Sequence, residues 1–179
     1  MDTQNFIEEM TYIEIEDIPN IELYMDQVTT FMDQALESYK RNKDDKILTK
    51  TMINNYAKAK LFPPPEKKKY TKNHMILLIL IYHLKSVLSI SDIQKFLAPI
   101  NDTLKQDPSS DLLETIYKKF VKIQKEVSKD SLYENNTSFE QLEFIESDEK
   151  NKNILLILWL AVQSNTKKRL AEKILDHSF

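Results

Sequence analysis

The chain has 179 residues, a formal net charge of -3, 41% hydrophobic residues, no cysteine and no glycine. This length and hydrophobic content suit one ordinary domain, or a small domain with a second helical part. The lack of cysteine excludes disulfides, thiolate metal sites and cysteine nucleophiles, and the lack of glycine excludes glycine loops that cradle phosphates. Hairpin-rich β folds also depend on glycine, so the composition favours a mostly helical protein.

The N-terminal part is acidic. Residues 1–39 contain ten acidic side chains and no lysine or arginine, and residues 1–10 lack the basic start and apolar core of a signal peptide. Residues 1–17 are expected to form an arm. Apolar residues then recur every three or four positions from Ile21 to Tyr39, which predicts a long amphipathic helix with Asn20 as its N-cap.

The charge reverses between residues 40 and 72, where eleven basic residues stand against three acidic ones, a local charge of +8. Positive charge concentrated in one segment is typical of a surface that binds a polyanion. On charge alone, a solvated lysine-rich surface is the simpler interpretation.

A short helix is predicted from Thr49, whose hydroxyl suits an N-cap, to about Lys60. One stripe of this helix is apolar, and the opposite stripe has no carboxylate and consists of Lys50, Thr51, Asn54, Asn55 and Lys58. Such side chains can contact phosphate oxygens, and asparagine can pair with adenine in the major groove. An ordinary amphipathic surface helix is the alternative, but it would usually carry some Asp or Glu on this face.

Three prolines, Pro63 to Pro65, end that helix. The residues that follow would form the tip and return of a wing able to neutralise phosphates: Lys67, Lys68, Lys69 and Tyr70. The next helix, from Met75 to Val87, is apolar all round and is expected to lie between other helices. A further short helix is predicted to start at Ser89 and to stop near Pro99.

The order of elements from Leu48 to Leu97 resembles the winged helix-turn-helix domain of MerR-type DNA-binding regulators. Ile53, Tyr56 and the prolines hold apolar and stop positions of that motif, and residues 88–93 (Leu-Ser-Ile-Ser-Asp-Ile) resemble its closing segment. Asn54 and Asn55 replace the Arg and first Tyr of that family, and Lys60 replaces its turn glycine. The whole chain also resembles a family from low-GC Gram-positive bacteria that is known only as a domain of unknown function.

The resemblance implies an all-α fold with a short two-stranded wing. Residues 1–100 would hold the arm, the long helix and the winged helix-turn-helix, and residues 101–179 would form a C-terminal helical bundle. In MerR-type proteins the segment after the DNA-binding domain dimerises and often senses an effector. Here it could dimerise, bind a ligand or cover the apolar helices; a homodimer is expected, and a small-molecule effector has no support in the sequence.

Catalytic, metal and cofactor sites are not predicted. The three histidines, His74, His83 and His177, lack metal-ligand spacing with acidic residues, and no serine motif resembles a nucleophile elbow. The two apolar runs at residues 75–82 and 154–162 are too short to cross a bilayer, which needs roughly 20 residues. We therefore expect a cytoplasmic protein that is neither an enzyme nor a membrane protein.

Two functions remain as hypotheses. In the first, the chain is a dimeric regulator of transcription that binds double-stranded DNA through the helix at residues 49–60 and the wing at residues 66–70. In the second, it is a helical protein-interaction module on a MerR-like scaffold, and its basic face meets an acidic protein. The first is favoured because charge, polar face and wing coincide in one segment.

Overall fold

The computed structural model describes residues 11–133, Phe139 and residues 148–178. This part of the chain is mostly helical with one two-stranded antiparallel sheet, as the composition predicts. The six α-helices in it are α1 (Met25–Ala35), α2 (Lys50–Lys58), α3 (Lys72–Leu84), α4 (Ile90–Gln106), α5 (Leu112–Tyr133) and α6 (Glu149–Ser178). The strands are β1 (Leu23–Tyr24) and β2 (Lys69–Tyr70), and a 3-10 helix at Glu37–Tyr39 follows α1.

The first helix is much shorter than predicted. It begins at Met25, so the prediction of a start after Asn20 is wrong. Leu23 and Tyr24 form β1 instead, with Leu23 opposite Tyr70 and Tyr24 opposite Lys69 of β2. The first turn of α1 is closed by Gln27, whose Oε1 accepts a hydrogen bond from the Tyr24 N–H at 2.9 Å. Pairing with a distant strand therefore overrides the local helical periodicity.

Residues 13–117 form one compact unit, and its core is centred on α3. Ten of the thirteen residues of α3 are buried, which confirms that this helix is enclosed on nearly every side. The residues just before β1 pack into this core as well, since Ile13, Ile15 and Ile18 are buried. Residues 1–10 of the predicted arm lie outside the described part of the chain. The Tyr117 hydroxyl donates a hydrogen bond to the Ile13 carbonyl at 2.8 Å, which ties the two ends of the unit together.

Helix α4 passes through Pro99, so the predicted stop near that residue is wrong. The Ser89 hydroxyl caps the helix by accepting from the Asp92 N–H at 3.2 Å. The apolar stripe continues beyond the proline to Ile100 and Leu104, both buried, and this burial offsets the lost amide hydrogen bond. The boundary predicted at residue 100 consequently falls inside a helix.

The described residues from 118 onward belong to a second compact unit, with most of α5 and all of α6. One face of α6 is buried through Ile154, Leu155, Leu158, Ala161, Val162 and Thr166. Trp159 meets the Phe139 ring edge-on, with 6.1 Å between the ring centroids. None of the described helices has the length and apolar character that a membrane span requires.

Candidate nucleic-acid interface

Helix α2 is held to the core by two side chains and presents a polar face to solvent. Ile53 is fully buried and Tyr56 is 6% exposed, and burial raises the pKa of the Tyr56 hydroxyl. The predicted N-cap is confirmed, because Thr49 Oγ1 accepts a hydrogen bond from the Met52 N–H at 3.2 Å. The polar face of α2 is exposed throughout and consists of Lys50, Thr51, Asn54, Asn55 and Lys58.

The C-terminal end of α2 is closed by a Schellman motif with lysine where glycine is usual. Lys60 has a φ of 57°, its N–H donates to the Ala57 carbonyl, and the Leu61 N–H donates to the Tyr56 carbonyl, both at 3.0 Å. The Asn101 side chain of α4 then donates to the Leu61 carbonyl at 2.9 Å. The turn therefore forms without glycine, with Lys60 in the left-handed region.

Residues 66–69, which we call the lysine turn, bring two lysines to an exposed tip. The Lys69 N–H donates to the Glu66 carbonyl at 2.8 Å, and the two central residues, Lys67 and Lys68, have φ values of 46° and 65°. Both φ values are positive, as they are in the type I′ turn that is common in hairpins. A lysine in this conformation costs about 1–2 kcal/mol relative to the right-handed one. Lys67 and Lys68 are exposed, and Lys69 is half-buried.

His74 fixes both ends of the segment that carries the lysine turn. Its Nε2 donates to the Pro63 carbonyl at 2.9 Å, and its Nδ1 accepts from the Thr71 N–H at 3.0 Å. The imidazole is enclosed by the rings of Phe62 and Tyr70, with centroid distances of 5.8 and 5.5 Å. Burial lowers the pKa of His74, so the neutral ring that this hydrogen bonding requires is favoured.

Tyr70 does not lie on the predicted surface. Its side chain is 3% exposed, packs against His74, and has a pKa raised by burial. A contact with a phosphate needs an accessible hydroxyl, so we leave Tyr70 out of the candidate interface. Its position in β2 opposite Leu23 explains the burial, because alternate residues of a strand point to opposite sides of the sheet.

The acidic N-terminal segment supplies partners for part of the basic segment. Asp26 of α1 pairs with Lys50, Glu22 pairs with Lys69 at 2.9 Å, and Asp33 pairs with Lys40 at 2.7 Å. The hydrogen bond and charge of Glu22 raise the pKa of Lys69. Among the described residues from α2 to the lysine turn, the exposed lysines that form no ion pair are Lys58, Lys60, Lys67 and Lys68.

Tyr24 is a surface residue, although it belongs to the apolar pattern between Ile21 and Tyr39 that predicted a helix. It is 55% exposed, lies opposite Lys69 in the sheet, and stands between Glu22 and the Asp26 that pairs with Lys50. Along the chain it therefore lies between the two acidic residues whose ion pairs reach α2 and β2. A strand of two residues has no detectable periodicity, so the sequence contains no local signal for this position.

His74 and His83 have structural partners in the core. Among the described residues, no group of three or more His, Cys, Asp or Glu side chains is arranged to hold a metal ion. His74 is held by backbone groups, and His83 packs edge-on against Tyr39 with 4.9 Å between the ring centroids. Both are parts of the core.

Residues 13–120 match the model of a protein family described as a domain of unknown function, DUF1836. The match covers more than half of the chain, and the protein belongs to this family. No curated protein and no solved structure matches the chain. The matched segment contains all of α2 and the lysine turn.

Proposed function

We propose that the protein is a sequence-specific, double-stranded-DNA-binding regulator of transcription, with α2 in the major groove and the lysine turn on the adjacent phosphate backbone. The observation that carries this proposal is the exposed, acid-free polar face of α2 together with the unpaired Lys67 and Lys68, which follow it after the three prolines. Amides at the centre of such a face can read base edges, and lysines beside it can neutralise phosphates.

The dimensions and connections of these elements support a winged helix-turn-helix of MerR-like type. An α-helix with its side chains is about 10–12 Å across and so fits the roughly 12 Å width of the major groove, and the nine residues of α2 extend about 13 Å along its axis. Strand β2 continues directly from the lysine turn and pairs with β1, which leads into α1. His74 forms hydrogen bonds at both ends of the segment that contains the lysine turn, and this fixes the position of Lys67 and Lys68.

Different residues take different parts in the proposed complex. Asn54 and Asn55 contact base edges, and Thr51 and Lys58 lie beside them on the same face. Lys67 and Lys68 contact phosphates. Thr49 supports the helix through its cap, and Lys50 and Lys69 must exchange a carboxylate for a phosphate in order to take part.

A second candidate is the protein-interaction module, and the ion pairs favour it. Lys50 and Lys69 already bind carboxylates at this surface, as they would in contact with an acidic protein. Aspartate and glutamate of the partner would then take the place of phosphates. The DNA proposal stands ahead because the amide-rich centre of α2 adds a base-reading chemistry that an acidic protein surface does not require.

The phosphate contacts can be tested without disturbing the fold. In the variant Lys67→Gly/Lys68→Gly, glycine adopts the positive φ of the turn more readily than lysine, so the loss of charge is separated from loss of structure. Fluorescence anisotropy with genomic fragments should show weaker binding and a logarithmic salt slope shallower by about 2. The control Lys105→Gln/Lys129→Gln removes two cations of equal 65% exposure and should leave the slope unchanged.

Sequence reading is tested separately, with Asn54→Ala/Asn55→Ala. Selection of bound genomic fragments should yield a preferred sequence for the wild type, and the variant should lose roughly 1–3 kcal/mol of discrimination for each base pair that an amide reads. Both residues are exposed, so the fold is retained. If the folded wild type binds no DNA at low salt but binds acidic protein surfaces, the second candidate replaces the first.

A further inference from the structure

Helix α6 has a second apolar stripe that lies opposite its buried face. Four large apolar residues of this stripe are exposed by 36 to 51%: Ile157, Leu160, Ile174 and Leu175. Ser164, Lys167 and Ala171 lie between them along the same stripe and are exposed as well. The stripe thus has an apolar group at each end and a polar centre, and α6 already packs in the core through its other face.

The stripe is self-complementary when two copies run antiparallel. Its residues recur at alternating spacings of three and four, and this is the spacing of the residues that form the seam of a two-stranded coiled coil. In the antiparallel register, the facing pairs are Ile157 with Ile174, Leu160 with Ala171, and Ser164 with Lys167. A large side chain thus meets a small one, the serine hydroxyl can accept a hydrogen bond from the lysine ammonium, and a two-fold axis repeats every pair.

The parallel arrangement is disfavoured by the same residues. It would place each residue against its own copy, so that Lys167 would face Lys167 at the centre of the seam. Like charges in that position repel, whereas Ser164 opposite Lys167 gives each lysine an acceptor. The polar centre therefore selects both the direction and the register.

We propose that this stripe of α6 is the interface with a second copy of the chain, paired antiparallel in the register just described. Each copy contributes four half-exposed large side chains, which is a small area compared with that of obligate dimers. The dimer consequently forms and dissociates with concentration. The interface lies in the second compact unit, so it does not depend on whether α2 binds DNA.

Introduced cysteines test the register directly, because the chain has no cysteine of its own. The single variants Ile157→Cys and Ile174→Cys are prepared separately, one with an affinity tag that changes its mass. Under mild oxidation, the antiparallel pair predicts a disulfide only in the mixture of the two variants. In each single variant the two copies of the cysteine would be about 25 Å apart along the helices, whereas a disulfide needs Cα atoms within about 7 Å.

Sedimentation equilibrium from about 1 µM to 1 mM provides the second measurement. The wild type should shift from monomer to dimer over this range, and Leu160→Glu should weaken association at least tenfold. Ile21→Glu is the matched control, because Ile21 is 66% exposed but lies outside α6, and its association should equal that of the wild type. A wild type that stays monomeric, or disulfides that form equally in the unmixed single variants, would overturn the proposal.

Discussion

Helices α2 and α3 follow one another along the chain, yet α3 buries ten of its thirteen residues whereas α2 buries only Ile53 and Tyr56. Stability is therefore concentrated in α3, and α2 offers a surface that can change without affecting the core. The segment between them contains the three residues with positive φ, all of them lysines, within the described part of the chain. Stability and the proposed function can thus be altered independently of each other.

The largest effect is expected in α3. Leu78→Ala removes a fully buried side chain and should lower the free energy of unfolding by about 2–5 kcal/mol. Asn55→Ala on the exposed face of α2 should change it by less than about 0.5 kcal/mol. Urea unfolding followed by circular dichroism measures both. Equal losses would show that α2 is as firmly packed as α3 and would break the comparison.

The next largest effect on stability is expected for His74, which joins α3 to Pro63 in the segment that follows α2. His74→Leu keeps the volume but removes the hydrogen bonds to the Pro63 carbonyl and the Thr71 N–H, both partly buried, which should cost about 0.5–1.5 kcal/mol for each bond. Lys67 and Lys68 should then be less well fixed, and amide hydrogen exchange across residues 66–71 should accelerate. Unchanged exchange in this segment would mean that the turn is held by β1 alone.

The same histidine makes the stability depend on pH. Burial lowers the pKa of His74 below its ordinary value of 6.5, so the folded protein keeps the ring neutral while the unfolded chain takes up a proton. The unfolded state binds more protons below pH 6.5, and stability therefore falls as the pH drops from 6.5 to the lowered pKa of the folded state. His74→Leu should lack this part of the pH dependence. Denaturation curves between pH 7 and 5 compare the two slopes.

A smaller effect is expected where the acidic segment meets α2. Glu22→Gln/Asp26→Asn frees Lys69 and Lys50 from their carboxylates and removes two negative charges from the proposed interface. DNA affinity near 0.1 M salt should rise about tenfold, and the salt slope should steepen. The control Asp102→Asn removes an exposed carboxylate from α4 and should leave the affinity unchanged. Weaker binding by the double variant would indicate that these ion pairs position the lysines for DNA.

The smallest effect is a gain in stability at the end of α2. Lys60→Gly replaces a lysine at a φ of 57° and should raise the free energy of unfolding by up to about 1 kcal/mol. Lys58→Gly is the matched control: the same change two residues earlier, at the last residue of the helix, should lower it by up to about 1 kcal/mol. Thermal unfolding distinguishes the opposite signs. A loss of stability in both variants would indicate that the Lys60 side chain makes a stabilising contact.

Local signals in the sequence predict much of this arrangement. The missing glycine indicated a helical fold, the Thr49 hydroxyl marked the start of α2, and the continuous apolar run marked α3 as buried. These features depend on neighbouring residues and can therefore be read along the chain. The exposed positions of α2 were likewise predictable from helical spacing.

Features that depend on distant contacts were missed. Residues 21–24 fit the helical pattern of α1, but pairing between β1 and β2 makes residues 23 and 24 a strand and exposes Tyr24. Pro99 is a helix breaker by its own chemistry, yet buried residues on both sides keep α4 intact. The separation of acidic and basic segments suggested a free cationic surface, whereas three ion pairs join the two segments.

The edge contact between Trp159 and Phe139 gives the protein a built-in optical probe. Trp159 is the chain's one tryptophan and lies in the second compact unit, so its fluorescence reports on the surroundings of α6. Circular dichroism, in contrast, averages over the helices of both units. The unfolding of Leu78→Ala can be followed with both probes. Coincident transitions would mean that both units unfold cooperatively. A later fluorescence transition would mean that the second unit stays folded after the first has unfolded.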